Sequence, residues 1–481
     1  MSTESNENKA QANAKKQKEI IALDKAKANA KKQKEINALD KAKAKKQSKK
    51  DRKQAKKDQK QAKKERKHKR PTWFKRVLAH FEDFNGKIFS LYGLLLTIGL
   101  LMVTTASSYL ATSASQPTYY YLVRQLMFAV IGLFAIILIY ITKPEMWRHR
   151  IFQTSTYLGV TALLIFTTIF GETINGAQGW IGVGAFSIQP VEFAKPALII
   201  LVANFLAKDE VQGAIAQTEN PLQLLTKYWK QAATIALWLG LVLLFPDVGG
   251  VLILGSLLVI LLLNSGMAVK WLMRTILGVI VAYVLIVIVL NVVDLSHVDN
   301  YQIERFTSFI NPFADAQDTG MQLVYGYYAL SNGGILGRGA GNSIQKLGYL
   351  PEAHNDFIMA IIGEEFGLWG ILLVLTLYFG LVIYIFHKAI KMRRTFDQAV
   401  LVGVASYFLI QAFVNLGGVL GLIPLTGVTF PFMSYGGSSL LVTSIMIGIA
   451  LSVIASDQSW RRDLRAKRAK SNQADLPEQT E

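Results

Sequence analysis

From residue 88 onward, apolar runs alternate with short polar breaks, and the runs fall at roughly 88–110, 122–142, 152–170, 190–207, 230–246, 249–265, 270–291, 356–387, 398–422 and 436–456. Each is close to the ~20 residues that carry a helix across a bilayer core. Backbone groups in lipid must be satisfied within their own segment, so such runs read as helices. The pattern predicts an all-α polytopic membrane protein of about ten transmembrane helices, with irregular connections and a division of 230–265 at Pro246-Asp247.

One connection departs from the pattern. Between the seventh and eighth runs lies YQIERFTSFINPFADAQDTGMQLVYGYYALSNGGILGRGAGNSIQKLGYLPEAHND, residues 301–356, long, polar and glycine-rich. Loops held by a rigid scaffold are where chemistry usually sits. Ahead of the bundle, residues 1–70 hold 26 Lys/Arg against 9 Asp/Glu, whereas the other 411 residues carry 26 against 24. The net charge of +19 therefore belongs almost entirely to the tail. The chain divides into a basic low-complexity tail (1–70), an interfacial segment (71–87), a membrane domain (88–456) and a C-terminal tail (457–481).

In the tail, residues 13–28 recur at 29–44 with one change, Ile21 for Asn37. So polar a repeat buries little, and the tail is expected to be disordered and solvated, with transient helix. Its cations suit anionic lipid, at ~1 kcal/mol each near the surface. No aromatic residue is interleaved for base stacking, so nucleic acid is not an expected partner. Trp73, Val77, His80, Phe81 and Phe84 follow at helical spacing, as in an interfacial anchor.

Charge also orients the bundle. Lys143, Arg148, Arg150, Lys208, Lys227, Lys230, Lys270, Arg274, Lys388, Lys391, Arg393 and Arg394 fall on one set of connections, with both termini. The opposite set holds Arg305, Arg338 and Lys346, all in the long loop. The positive-inside rule then places both termini in the cytoplasm and the loop outside. The polar start implies that the first helix acts as a retained signal-anchor. Cysteine is absent, which excludes disulfides, thiolate metal sites and thiol nucleophiles.

Ionisable residues inside the runs are few and costly. Glu192 and Lys195, at i and i+3, can pair with each other. Glu364 and Glu365 are adjacent, and one could turn to a bundle partner such as Lys195. Asp247 reads as a local cap. In the loop, Asp315 and Asp318 are candidate general bases. Arg305, Arg338 and Lys346 are candidate diphosphate ligands, since Arg offers bidentate donors. The N–H groups of GGILGRGAGNS could assist them, because glycine permits close approach. The glycine-rich connection GETINGAQGWIGVGAFSIQP reads as a loop dipping into the interface.

GWIGVGAFSIQPVEFAK, FPDVGG, NPFADAQDTGMQL, LSNGGILGRGAGNSIQKLGYLPEAHNDFIMAIIGEEFG and IPLTGVTFPFMSYGGSS occur in this order. Together they resemble the SEDS family (shape, elongation, division and sporulation), with its FtsW and RodA branches, over roughly residues 88–456. GNSIQKLGYLPEAHNDFI is more similar to the cell-division branch. The resemblance implies a peptidoglycan glycosyltransferase that polymerises lipid II at the division septum and releases undecaprenyl diphosphate. It implies that Asp315 is the base, deprotonating the acceptor GlcNAc 4-hydroxyl for inverting attack on MurNAc C1. It also implies a class B penicillin-binding protein, a transpeptidase, as partner, with other divisome membrane proteins. No metal-ligand spacing is evident, although a divalent cation, magnesium or manganese, could bridge Asp315 or the diphosphate. Departures are Asp315-Ala316 where relatives have Asp-Pro, Gly179 where they have Arg, and QPVE for QPSE. The competing readings are a lipid II flippase and a scaffold that recruits the transpeptidase. A flippase calls for deep charges, broken helices and often an internal repeat. The body shows no such repeat, and a scaffold has no need of Asp315.

Overall fold

A computed structural model describes residues 81–174, 177–183, 186–217, 226–245, 247–266, 308–314, 316–318 and 320–474, with scattered residues in 23–57, 223 and 270–305. It forms two compact units, Met1–Leu78 and Ala79–Glu481. In the first, the described residues are helical and exposed. The described residues of the Ala-, Lys- and Glu-rich tail are thus helix without a core, in keeping with the transient helix expected of it and with the high helix propensity of those residues.

The second unit contains α1 (Gly86–Ser113), α2 (Tyr120–Ile141), a single turn α3 (Pro144–Trp147) and α4 (Arg150–Phe170). Strands β1 (Glu172–Ile174), β2 (Ala177–Val183) and β3 (Phe186–Ile188) follow. Then come α5 (Pro190–Leu206), α6 (Asp209–Gln217), α7 (Trp229–Leu244), α8 (Val248–Asn264), α9 (Met321–Gly333), α10 (Ile358–Ile390), α11 (Thr395–Val419) and α12 (Gly437–Ala474). Six of these (α1, α2, α4, α10, α11 and α12) are long and apolar enough to cross a membrane, and the bent pair α5–α6 makes up to seven. α7 and α8 are shorter apolar helices. Nine of the ten expected runs thus coincide with helices, while 270–291 is described only in part, its described residues being helical.

α11 and α12 form the centre, each 83% buried over its apolar window, against 22% for α2 and 17% for α4. The outer helices remain apolar on their exposed sides, as a lipid-facing helix must. Two helices are broken. α5 turns by 80° into α6. α10 is interrupted at Gly367, whose φ of 67° and ψ of −161° suit only glycine. Residues 71–80 of the interfacial segment lie outside the described residues. Phe81 and Phe84 beyond it pack on Tyr140, with ring centroids 5.2 and 5.3 Å away.

Two features depart from the sequence reading, and a third extends it. The glycine-rich connection after α4 is an antiparallel sheet in the order β1-β2-β3, with Ile174 opposite Ala177 and Ile181 opposite Ile188. Backbone hydrogen bonds that would be left open in an apolar loop are closed across its strands. The long polar loop contains a helix, α9, that packs on α10. The C-terminal tail begins as a continuation of α12: Arg462 bonds Asp83 at 2.7 Å, and Arg461 donates to the Lys391 carbonyl.

Candidate functional site

At the end of the bundle that carries the long loop, the starts of α5 and α8, the middle of α11 and segments 354–357 and 425–439 gather polar and charged side chains into one cluster, a polar chamber set among the helices. α5 opens with Gln189-Pro190, and its first turns place Glu192 and Lys195 on one inward face. Their charges meet at 2.6 Å with only 6% and 1% exposure, so the expected pairing is present. The Lys195 ammonium also lies 5.7 Å from the centroid of the Tyr407 ring on α11. The second Glu192 oxygen, Oε2, is buried without a hydrogen-bond partner among the described residues. A buried acceptor left open costs about 1–3 kcal/mol, so this one favours a polar visitor.

Asp247 caps α8 by accepting from the Gly250 N–H at 2.7 Å, which is the local role its position suggests. Its other oxygen receives Gln189 Nε2 at 3.4 Å, tying the starts of α5 and α8 together. Arg305 donates Nη1 to the Leu425 carbonyl at 3.1 Å. A side chain added at Gly427, where φ is +71°, would lie 3.5 Å from Arg305 Nη1 and 3.6 Å from Asp356 Oδ2. Guanidinium and carboxylate therefore converge on one turn whose positive φ favours glycine. Burial pushes Asp356 up to about 7, Glu352 adds to the rise, and Arg305 opposes it.

Hydrogen bonds fix the walls. Asn415 Nδ2 donates to the Asp356 and Val428 carbonyls, both at 2.8 Å. Gln411 Nε2 donates to the Thr429 carbonyl at 3.2 Å, and the Thr429 and Ser439 hydroxyls bond at 2.8 Å. Ser438 Oγ accepts the Gln189 N–H at 3.0 Å. The His354 ring, which burial holds below the usual imidazole range, packs tilted between the rings of Tyr121 and Tyr435, with centroids 5.0 and 5.5 Å away. Asp356, His354, Gln189, Gln411 and Asn415 were not singled out from the sequence. Asp356 and His354 sit in PEAHND, and the 425–439 segment is the IPLTGVTFPFMSYGGSS motif. The motifs were visible, but which side chains faced inward was not.

The base of the long loop is a clasp on α10, and here several expectations change. Glu364 accepts from the Ser343 hydroxyl, from the Ile344 and Gln345 N–H groups at 3.2 Å each, and from Asn332 Nδ2 at 3.3 Å. Glu365 pairs with Lys346 at 2.7 Å, not with Lys195, which is committed to Glu192. Lys346 is buried and also donates to the Gly341 carbonyl at 2.7 Å, so its charge is engaged within the fold rather than offered to a diphosphate. The N–H groups of Arg338 and Gly339 bond the Glu364 and Glu365 carbonyls at 2.9 and 2.8 Å. They supply the partners those carbonyls lose to the break at Gly367, and so do not form a phosphate cradle. Close approach requires glycine here: a side chain at Gly333 would lie 1.9 Å from the Gly363 carbonyl oxygen.

Of the remaining candidates, Asp315 lies outside the described residues. Asp318 is exposed, and its carbonyl accepts the Met321 N–H at 3.1 Å at the start of α9. Arg338 is exposed on the loop. Among the described residues, no group of three or more His, Asp or Glu could hold a metal ion.

The comparisons agree with this architecture. The sequence is 37% identical over 362 residues to a probable peptidoglycan glycosyltransferase FtsW of Bacillus subtilis, covering 75% of this chain and 87% of that protein. It is 36% identical over 387 residues to the protein of the same name in Haemophilus influenzae, covering 78% and 91%. A chain from a structure titled for the coordination of polymerization and crosslinking by a peptidoglycan synthase complex superposes with a TM-score of 0.60 and 26% identity, covering 78% of this chain and 98% of that one. The rod shape determining protein RodA of Thermus thermophilus shares the fold, with a TM-score of 0.54, 23% identity, and 78% and 97% coverage. A profile of FtsW/RodA/SpoVE cell cycle proteins matches residues 86–459, and the chain belongs to that family.

Proposed function

We propose that the chain is a peptidoglycan glycosyltransferase that polymerises lipid II into β-1,4 glycan strands for septal wall synthesis. The observation that carries this reading is the polar chamber itself. Glu192, Lys195, Asp247, Arg305 and Asp356 gather at the end of the bundle that carries the long loop, where a lipid-linked sugar would present its diphosphate. Asp315 takes the proton of the acceptor GlcNAc 4-hydroxyl, whose oxygen attacks MurNAc C1. The C1–O bond to the diphosphate breaks, its electron pair leaves on undecaprenyl diphosphate, and the anomeric centre inverts. Arg305 is the cation best placed to meet the leaving diphosphate, with Arg338 at the rim. Glu192 and Lys195 set the chamber's field and offer the open Oε2 to a donor group on the substrate. A magnesium or manganese ion would enter with the diphosphate.

The positive-inside pattern puts the chamber on the outer face and both termini in the cytoplasm. A class B transpeptidase is the proposed partner, supported by the synthase-complex setting of the structural relative. A second reading has one specific observation in its favour. The breaks at Gly367 and between α5 and α6 are features that a flippase for the same lipid would use.

Polymerisation of fluorescent lipid II, with the cognate transpeptidase present and its serine blocked, separates these readings. Wild type is expected to yield glycan chains and Asp315→Ala to fall by at least ~100-fold while remaining folded, the scale of losing a general base. Chains from both proteins would move the base to Asp318. Chains from neither, together with lipid II transfer across vesicles, would favour the flippase.

A further inference from the structure

The opposite end of the bundle holds a second site. Beneath the 80° elbow between α5 and α6 lies a cavity of about 540 Å³. Leu198, Phe205, Tyr157, Trp238, Leu262 and Trp271 are among the side chains that line it. α6 roofs it with its buried Val211 and Ile215. The cavity adjoins a polar cleft of about 410 Å³ that shares Gln153 and Lys208 with it and adds Arg148, Asn204, Asp209 and Glu210. The Asn204 amide is committed to the Trp147 and Ile200 carbonyls, both at 3.0 Å, which fixes the cleft wall.

We propose that this cavity and cleft bind one anionic glycerophospholipid, with an acyl chain in the cavity and the phosphate at the cleft. An empty apolar cavity forfeits dispersion contacts, and in a bilayer the nearest hydrocarbon is a lipid chain. The charge around the mouth selects the headgroup. Arg148 and Lys208 line the cleft, and three further cations stand over aromatic rings, two of which, Tyr228 and Trp271, line the cavity. Lys227 lies over Tyr228 at 5.5 Å, Lys230 over Trp229 at 5.9 Å, and Arg274 over Trp271 at 4.7 Å. Only Asp209 and Glu210 oppose these five among the charges named here. Basic pockets between helices, ringed by interfacial aromatics, recognise anionic headgroups. The substrate's polyprenyl chain is a poorer fit by position: Glu192 and Leu206 are separated by about 21 Å along α5, so the cavity lies at the far end from the chamber.

The test uses the full chain in nanodiscs containing trace phosphatidylglycerol or phosphatidylcholine with a photoreactive group near the acyl terminus. Phosphatidylglycerol is expected to label peptides of α5 and α7 that line the cavity, at least tenfold more than phosphatidylcholine. Ala232→Phe, which fills the cavity, and the pair Arg148→Gln/Lys208→Gln should each abolish that labelling, with helical content and elution volume unchanged. The basic tail is intact in all variants, so its own lipid binding cancels. Equal labelling by both lipids, labelling confined to outer helix faces, or labelling that survives both variants would overturn the assignment. Stronger competition by a polyprenyl phosphate than by phosphatidylglycerol would also overturn it, assigning the cavity to the substrate's chain.

Discussion

Asp356 shows how far a single residue can be read. It lies at the start of the 356–387 apolar run, two residues before α10, and nothing in its spacing sets it apart from Asp247 or Asp318. Its character comes from contacts remote in sequence: Arg305 and Gly427 beside it, and Asn415 on its carbonyl. Its carboxyl titrates near 7, whereas an unfolded Asp does so near 3.9. The native state therefore binds the extra proton, and this group's contribution falls as pH rises from about 4 to 7. Asp356→Asn should remove that loss. Thermal unfolding in detergent should show wild type losing on the order of 2 kcal/mol more than the variant between pH 5 and pH 8, after allowance for partial exposure. Identical pH dependence in the two proteins would mean that Asp356 is ionised throughout. Glu192 and Lys195, by contrast, were legible at once, because i and i+3 on one helix must share a face.

At the scale of elements, long apolar runs were legible and their interruptions were not. Periodicity marks where a helix can run, but Gly367 breaks α10 through a backbone conformation, and the partners it leaves open are met by a loop some thirty residues earlier. The sheet after α4 carried a local signal, Asn175-Gly176 within an alternating segment, which is a hairpin cue that its glycine content obscured. The Lys346–Glu365 pair belongs to this scale because it clamps the loop to the broken helix. Both groups are buried, so removing one strands the other, at a cost of about 3–5 kcal/mol. Lys346→Met alone should lower the unfolding temperature sharply, and Lys346→Met combined with Glu365→Leu should recover most of the loss. If the double variant is no more stable than the single, the pair is not the clamp.

For the whole molecule, the two ends are chemically distinct, and that difference follows from the alternation of helices. Arg394 joins Glu145, Asp397 and Ser456 at 2.6–2.8 Å at the end where α10 finishes and α12 leaves the bundle. Gln189, Asp247, Asp356 and the 425–439 segment gather at the other. A membrane insertion process that retains Lys and Arg would leave the first end in the cytoplasm and hold the chamber outside. The absence of native cysteine makes the orientation directly measurable, since any introduced thiol is the sole reporter. Ala340→Cys, on the exposed loop, should react with an impermeant maleimide in intact cells, and Ala466→Cys, on the exposed end of α12, only after permeabilisation. The reverse pattern would put the chamber on the side where no glycan strand grows, and would remove the polymerase reading whatever the chemistry of Asp315. The expected pattern fits a machine whose substrate reaches the chamber from the outer leaflet while its charged ends stay within reach of the cytoplasm.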